Sequence, residues 1–254
     1  MELRGARALI TGGSSGIGRA IAVDLAEAGA EAVAVDYAHR EDEALATCNE
    51  IEARGARALP VRADASLAED VKRMVREVGD AFGGLGVLVN SAGYTELIPF
   101  RDIDAIAEET WDRIMAVNVK GPFLCSREAA PQLRQSRGAI VNIASVAGVR
   151  ATGSSLPYGV SKAGLIQLTR ALALALAPDV RVNAVAPGII ETHWITQLAG
   201  EEGARDIYSR TKDATPLGRT LEPPDVSQVV LSLLTSDGVT GETLVVDGGR
   251  AINY

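Results

Sequence analysis

Tyr158 and Lys162 stand four residues apart, and Pro157 immediately precedes the pair. Proline suits the first turn of a helix, and side chains at i and i+4 share one helix face. The spacing therefore predicts a phenol beside an ammonium. A free phenol titrates near ~10 and exchanges protons poorly at neutral pH. A neighbouring cation stabilises its anion and draws the pKa toward the working range, which is the condition for acid/base work. Ser145 ends an apolar run, and the intervening loop brings its hydroxyl alongside to hold a carbonyl oxygen against the phenol. In a chain with five tyrosines such a spacing also arises on ordinary solvated surfaces, so its meaning depends on the elements that carry it.

Those elements alternate. Apolar, β-type runs at 6–11, 32–36, 57–62, 87–90, 139–144, 181–186 and 243–246 are separated by helical patterns at 16–28, 41–54, 67–82, 104–120, 157–177 and 223–235. Strand–helix alternation is the mark of a parallel sheet wrapped by crossover helices. The expected fold is α/β: a Rossmann-type doubly wound parallel sheet of about seven strands, helices on both faces, in a single domain over 1–254. Ile17, Ile21, Leu25 and Ala28 form the apolar stripe that a helix packed on a sheet requires. No internal repeat or interdomain linker interrupts the pattern.

The first strand runs through Thr11-Gly12-Gly13-Ser14-Ser15-Gly16-Ile17-Gly18 into the first helix. Glycines there permit a tight turn and close approach of backbone to a pyrophosphate, and the free N–H groups at the helix start attract phosphates. Asp36 ends the second strand eighteen residues after Gly18, near the offset of the acidic group that binds an adenosine ribose. It favours NAD over NADP by repelling a 2′-phosphate, while His39 and Arg40 are the groups able to accommodate one. Asp64, with Ala65 beside it, follows the third strand, where a carboxylate accepts from an adenine amino group or sits at a helix start. Asn90, Ser91, Ala92 and Gly93 end the fourth strand with residues small enough to pass beneath a cofactor. Asn118 lies in a helical pattern although Asn competes for backbone hydrogen bonds there, which invites a role.

Taken in order, these residues resemble the short-chain dehydrogenase/reductase family, in its 3-oxoacyl-reductase-like branch, over the whole chain. Thr-Gly-Gly-Ser-Ser-Gly-Ile-Gly is similar to the family's TGxxxGxG loop, Asn90-Ser91-Ala92-Gly93 to its N-N-A-G motif with Ser91 for the second Asn, and Tyr158-x-x-x-Lys162 to its active-site pair. Ser145 and Asn118 match its other two catalytic positions. Pro187-Gly188-Ile189-Ile190-Glu191-Thr192 resembles its nicotinamide-side loop and Val246-Asp247-Gly248-Gly249 its C-terminal signature. The resemblance implies a nicotinamide oxidoreductase. Tyr158 would be the general acid/base, Lys162 would lower its pKa and hold the nicotinamide ribose, Ser145 would orient the substrate oxygen, and Asn118 would anchor a water. Ile190 and Thr192 would meet the carboxamide side. It also implies a homotetramer or dimer, which agrees with an apolar flank on helix 157–177 larger than one sheet face needs. Substrates of similar proteins include 3-oxoacyl thioesters, sugars, polyols and steroids.

Composition narrows the partners. A net charge of −8 and a pI near 4.9 argue against a general binder of nucleic acid or anionic membrane; Arg127, Arg134 and Arg137 are the arginines available to an acidic acyl carrier. No apolar run approaches the roughly 18–20 residues that span a bilayer, and the start lacks the unbroken apolar core of a signal peptide. A cytoplasmic protein is expected. Cys48 and Cys125, His39 and His193 have neither disulfide nor metal spacing. The polar segment 191–217, with His193, Trp194, Ile195, Leu198 and Tyr208, reads as a substrate lid or a surface excursion, with Tyr94, Glu96 and Leu97 opposite. A non-catalytic nucleotide-binding regulator or a methyltransferase-type fold would share the glycine loop and Asp36 but has no use for Ser145, Tyr158 and Lys162 together.

Overall fold

The computed structural model describes residues 1–252. Seven parallel strands, β1 (Arg7–Thr11), β2 (Ala32–Tyr37), β3 (Arg57–Arg62), β4 (Val87–Asn90), β5 (Ala139–Ile143), β6 (Arg181–Pro187) and β7 (Thr243–Val246), form one sheet in the order β3-β2-β1-β4-β5-β6-β7. The inner strands alternate between two cores. Val33, Val35, Val87, Val89 and Val141 face one layer, built with α1 (Gly16–Glu27), α2 (Glu41–Glu52) and α8 (Pro223–Thr235). Leu9, Ala34, Leu88, Ile140 and Val182 face the other, built with α3 (Ala68–Phe82), α5 (Gly121–Ser136) and α6 (Leu156–Leu176). Burial on both faces is why the strands read as continuous apolar runs.

The chain order reverses between β1 and β4. In an open parallel sheet that switch point leaves a crevice beyond the carboxyl ends of the strands. The register sets its floor, because Thr11 pairs with Asn90 and Asn90 with Asn142. Gly12 and Ser91 therefore step off the sheet side by side, while β5 runs one residue further and pairs Ile143 with Val185.

Two helical elements differ from expectation. The pattern at 104–120 resolves into a 3-10 turn (Ile103–Ala105), α4 (Glu108–Met115) and a π-helical turn (Ala116–Lys120), and the helix continues as α5. The helical pattern expected to end at 120 runs on, because proline is tolerated in a first turn and Pro122 here opens α5. The second is α7 (His193–Ala214), helical except at Gly200, where φ is 72°. Its polar surface and lack of apolar periodicity hid it.

Candidate active site

The glycine loop is packed too tightly for side chains. A Cβ on Gly12 would lie 2.9 Å from Ala92 Cα, and one on Gly18 would run into the Gly12 carbonyl oxygen. The hydroxyl of Thr11 accepts from the N–H groups of both Ser91 and Ala92 at 3.1 Å, joining the β1 and β4 exits. Ser14 is buried with its carbonyl taking the Thr47 hydroxyl, Ser15 precedes α1, and Ile17 packs partly into the core. Gly16, at φ 54°, faces the Thr192 methyl 3.5 Å from where its Cβ would be.

Asp36 is 2 % exposed. One carboxylate oxygen accepts from Gly12 N–H at 3.2 Å, and the other is buried with no hydrogen-bond partner. Burial pushes its pKa up to about 7, with Asp64 and Asp70 adding repulsion. Asp64 is exposed and takes the N–H and hydroxyl of Ser66 on one oxygen; Ala65 beside it is buried. Asp64 and Asp70 line a hollow at the end of β2 together with His39, Arg62 and Arg73. Arg40 is tied to both oxygens of Glu43.

Asn118 occupies the π-helical turn, fully buried. Such turns recur at functional sites, and this one aims an amide across the cleft. Its Oδ1 accepts from Tyr94 N–H at 2.8 Å, while its Nδ2 donates to Tyr94 O at 2.9 Å and Ser161 Oγ at 3.0 Å. Ser161 in turn donates to the carbonyl of Tyr158 at 2.7 Å. The oddity visible in the sequence is thus a clamp between the β4 exit and the first turns of α6. Ser161 gave no signal in the sequence, because a helix serine has many ordinary reasons to be there.

The loop bearing Ser145 lies directly on α6. A Cβ on Gly148 would sit 2.5 Å from the Lys162 carbonyl carbon, so only glycine permits the approach. Ser145 Oγ accepts from Ala147 N–H at 3.2 Å and lies near enough to the Tyr158 phenol to lower its pKa. Lys162 is buried and donates to Ile143 O at 2.8 Å, with its Nζ 5.7 Å from the Tyr158 ring centroid. Burial pushes the phenol up to about 12, Ser145 opposing, and pulls Lys162 down to about 8. The lowering of the Tyr158 pKa by Lys162 that the spacing suggests is therefore not what the protein's own groups produce: the ammonium is turned to a carbonyl, and desolvation of the phenol outweighs it.

Other expected positions also make contacts within the fold. Asn90 Nδ2 donates to Asn142 Oδ1 at 2.7 Å, and Asn142 bonds Thr169, so this amide faces the sheet's interior. Ala92 and Gly93 line the cleft, where Asn118 Oδ1 and Lys162 Nζ lie 3.6 and 3.8 Å from a Cβ position on Gly93. Pro187 ends β6, a Cβ on Gly188 would press on Asp247, and Ile190 is buried and bridged to Leu221. Thr192 caps α7 and hydrogen-bonds Tyr208. Asp247 accepts from the N–H groups of Gly249 and Ala251, which explains the C-terminal signature as a turn. Among the described residues no cluster of His, Cys, Asp or Glu suits a metal, and no helix is long and apolar enough to cross a membrane.

The glycine loop that Cβ atoms would fill, and the orphaned oxygen of Asp36, fit a dinucleotide. Residues 12–251 match the family model described as enoyl-(acyl carrier protein) reductase. A Streptomyces violaceoruber protein named for ketoacyl reductase 2 of the granaticin polyketide synthase is 43 % identical over 243 residues, covering 95 % of this chain and 94 % of the other. The 3-oxoacyl-[acyl-carrier-protein] reductase FabG of Staphylococcus aureus is 40 % identical over 248 residues, covering 95 % and 96 %. A crystal structure of a short-chain type dehydrogenase/reductase from Mycobacterium marinum superposes with a TM-score of 0.89 at 34 % identity, covering 98 % and 96 %.

Proposed function

The chain belongs to the short-chain dehydrogenase/reductase family, and from that premise we propose how its residues divide the work of an oxidoreductase acting on a carbonyl or secondary alcohol. When bound, the nicotinamide supplies or accepts the hydride. Tyr158 gives its phenolic proton to the carbonyl oxygen in the reducing direction, forming the alcohol O–H, and takes it back in the other. Ser145 donates a hydrogen bond to that same oxygen. Lys162, with one N–H spent on Ile143, has the remaining two for ribose hydroxyls. Asn118 holds the cleft wall at Tyr94 and the first turns of α6; its amide protons are both used, so a water it anchors is held by an oxygen. The observation that best supports this division is the meeting of Ser145 with Tyr158, and of Lys162 with Asn118 above Gly93.

NAD is the proposed cofactor. Gly12, Ser14, Ser15, Gly16, Ile17 and Gly18 would cradle the pyrophosphate, Asp36 would take the ribose hydroxyls, and Asp64 and Ala65 would flank the adenine. Thr192, across from Gly16, would meet the nicotinamide side. The unpartnered, buried oxygen of Asp36 leaves no welcome for a 2′-phosphate, and Arg40 is occupied by Glu43. A 3-oxoacyl thioester is the proposed substrate class on the strength of the two named relatives. An acidic carrier gains little from Arg127, which pairs with Glu128. Exposed Leu174 on α6, and Leu244 and Val245 on edge strand β7, support self-association to a tetramer or dimer. Two buried, free cysteines suit a cytoplasmic protein. The test is Tyr158→Phe, which removes turnover with a carbonyl panel while leaving NADH affinity intact; a near-wild-type rate would defeat the assignment.

A further inference from the structure

One aromatic group in the cleft takes no part in the proton chemistry. Trp194, in the first turn of α7, places its ring centroid 6.3 Å from that of Tyr158 with the planes at 77°. Its Cη2 lies 3.7 Å from the Cβ position of Gly93, the point approached also by Lys162 Nζ and Asn118 Oδ1. The indole edge therefore overhangs the space between the phenol and the cleft floor. The turn that carries it is anchored: Tyr208 Oη donates to Thr192 O at 3.0 Å and accepts from Thr192 N–H at 3.2 Å.

A carbonyl whose oxygen lies at Tyr158 and Ser145 has two carbon substituents, and one of them must pass the indole. A flat apolar group gains an aromatic contact there. A polyhydroxylated chain would lose water from hydroxyls that the ring cannot pair. The flanking loops continue the apolar character. Leu97 and Val149 are exposed, and the loops that carry them are tied together where Ile98 N–H donates to Ser154 O at 2.9 Å.

We propose that Trp194 is the specificity-determining residue of the substrate pocket, selecting, among ketones that include 3-oxoacyl thioesters, those whose second substituent is flat and apolar, aryl or conjugated, against sugars and polyols. The proposal rests on the reading of Tyr158 and Ser145 as the groups that hold the substrate oxygen.

The test compares acetophenone with 2-butanone as substrates for reduction, and xylitol for oxidation, in wild type, Trp194→Leu and Trp194→Phe. In Trp194→Leu the KM for acetophenone rises about 3- to 10-fold, the range expected of one aromatic contact, with kcat and the KM for 2-butanone little changed. Trp194→Phe keeps most of the preference. An equal change for both ketones, no change for either, or a wild-type preference for xylitol overturns the proposal. A second measurement needs no turnover. In Trp111→Phe, which leaves Trp194 as the only indole, acetophenone added with NAD⁺ quenches the emission saturably, and 2-butanone at equal concentration does not. Equal quenching by the two overturns the proposal independently. Tyr158→Phe separates the premises: turnover surviving in that variant defeats the acid/base reading, whatever the quenching shows.

Discussion

Asp36→Asn tests the cofactor site through the stability of the protein without cofactor. In the fold the carboxyl titrates at about 7, against 3.8 for the unperturbed group, because it is buried with one oxygen unpaired. A raised carboxyl pKa means that the folded state holds its proton more tightly than the unfolded chain. The associated stability is fully present below 3.8 and is lost as pH rises through 7. At 1.36 kcal/mol per pKa unit the whole shift is about 4 kcal/mol, of which about 3 kcal/mol falls between pH 5 and pH 8. Asparagine keeps an acceptor for Gly12 N–H and carries no charge. Its own unpaired N–H₂ costs about 1–3 kcal/mol, equally at every pH, so the change with pH isolates the titration. Denaturant unfolding of both proteins at pH 5 and pH 8, at one protein concentration, should show the variant gaining about 3 kcal/mol on wild type over that interval. Thermal melts should show roughly 6–12 °C, at ~2–4 °C per kcal/mol for a chain of this size. The variant should also lose NADH affinity by tenfold or more, as a charge-assisted hydrogen bond to ribose disappears. A difference that stays flat from pH 5 to pH 8, or unaltered NADH binding, refutes the placement of Asp36 as a buried, ribose-seeking carboxylate.

Further outcomes follow from the same geometry. Wild type titrated with NADH and NADPH by nicotinamide fluorescence should bind NADH at least tenfold more tightly; the reverse order would transfer the adenosine end to Arg62 and Arg73. Asn118→Ala breaks three hydrogen bonds and takes the amide away from the Tyr94 N–H and carbonyl, so it should destabilise by about 2–4 kcal/mol and cut kcat more than tenfold, read by unfolding and turnover together. Lys162→Met removes a buried cation whose folded pKa, about 8, lies below the unfolded 10.5. The stability penalty of that cation is largest below pH 8 and vanishes as pH rises through 10.5, so the variant should gain stability on wild type at pH 7 relative to pH 10 while losing turnover. Gly148→Ala forces the Ser145 loop off α6, and an unchanged rate would show that the Ser145–Tyr158 contact does not depend on that approach.

Periodicity determined most of this protein before any coordinates. Seven strand positions and most of the helices between them follow from apolar alternation, because a strand buried on both faces must be apolar throughout and a covering helix must show one stripe; the reversal that makes the crevice is read from the sheet order. Asp36, Asn118, Ser145, Tyr158 and Lys162 were legible because each residue is costly or odd where it stands. Tertiary structure alone decided how they act. The turn of Lys162 to the Ile143 carbonyl, the upward shift of the phenol and the orphaned oxygen of Asp36 are consequences of desolvation, a property of three-dimensional enclosure that spacing does not encode. The bond from the Asn90 amide to Asn142 and the packing of Ile190 beside Leu221 come from other elements and are likewise invisible in the spacing. Helix α7 and the overhang of Trp194 above Gly93 were hidden most completely, since a polar segment carries no period and its place is fixed by contacts with residues about a hundred positions away.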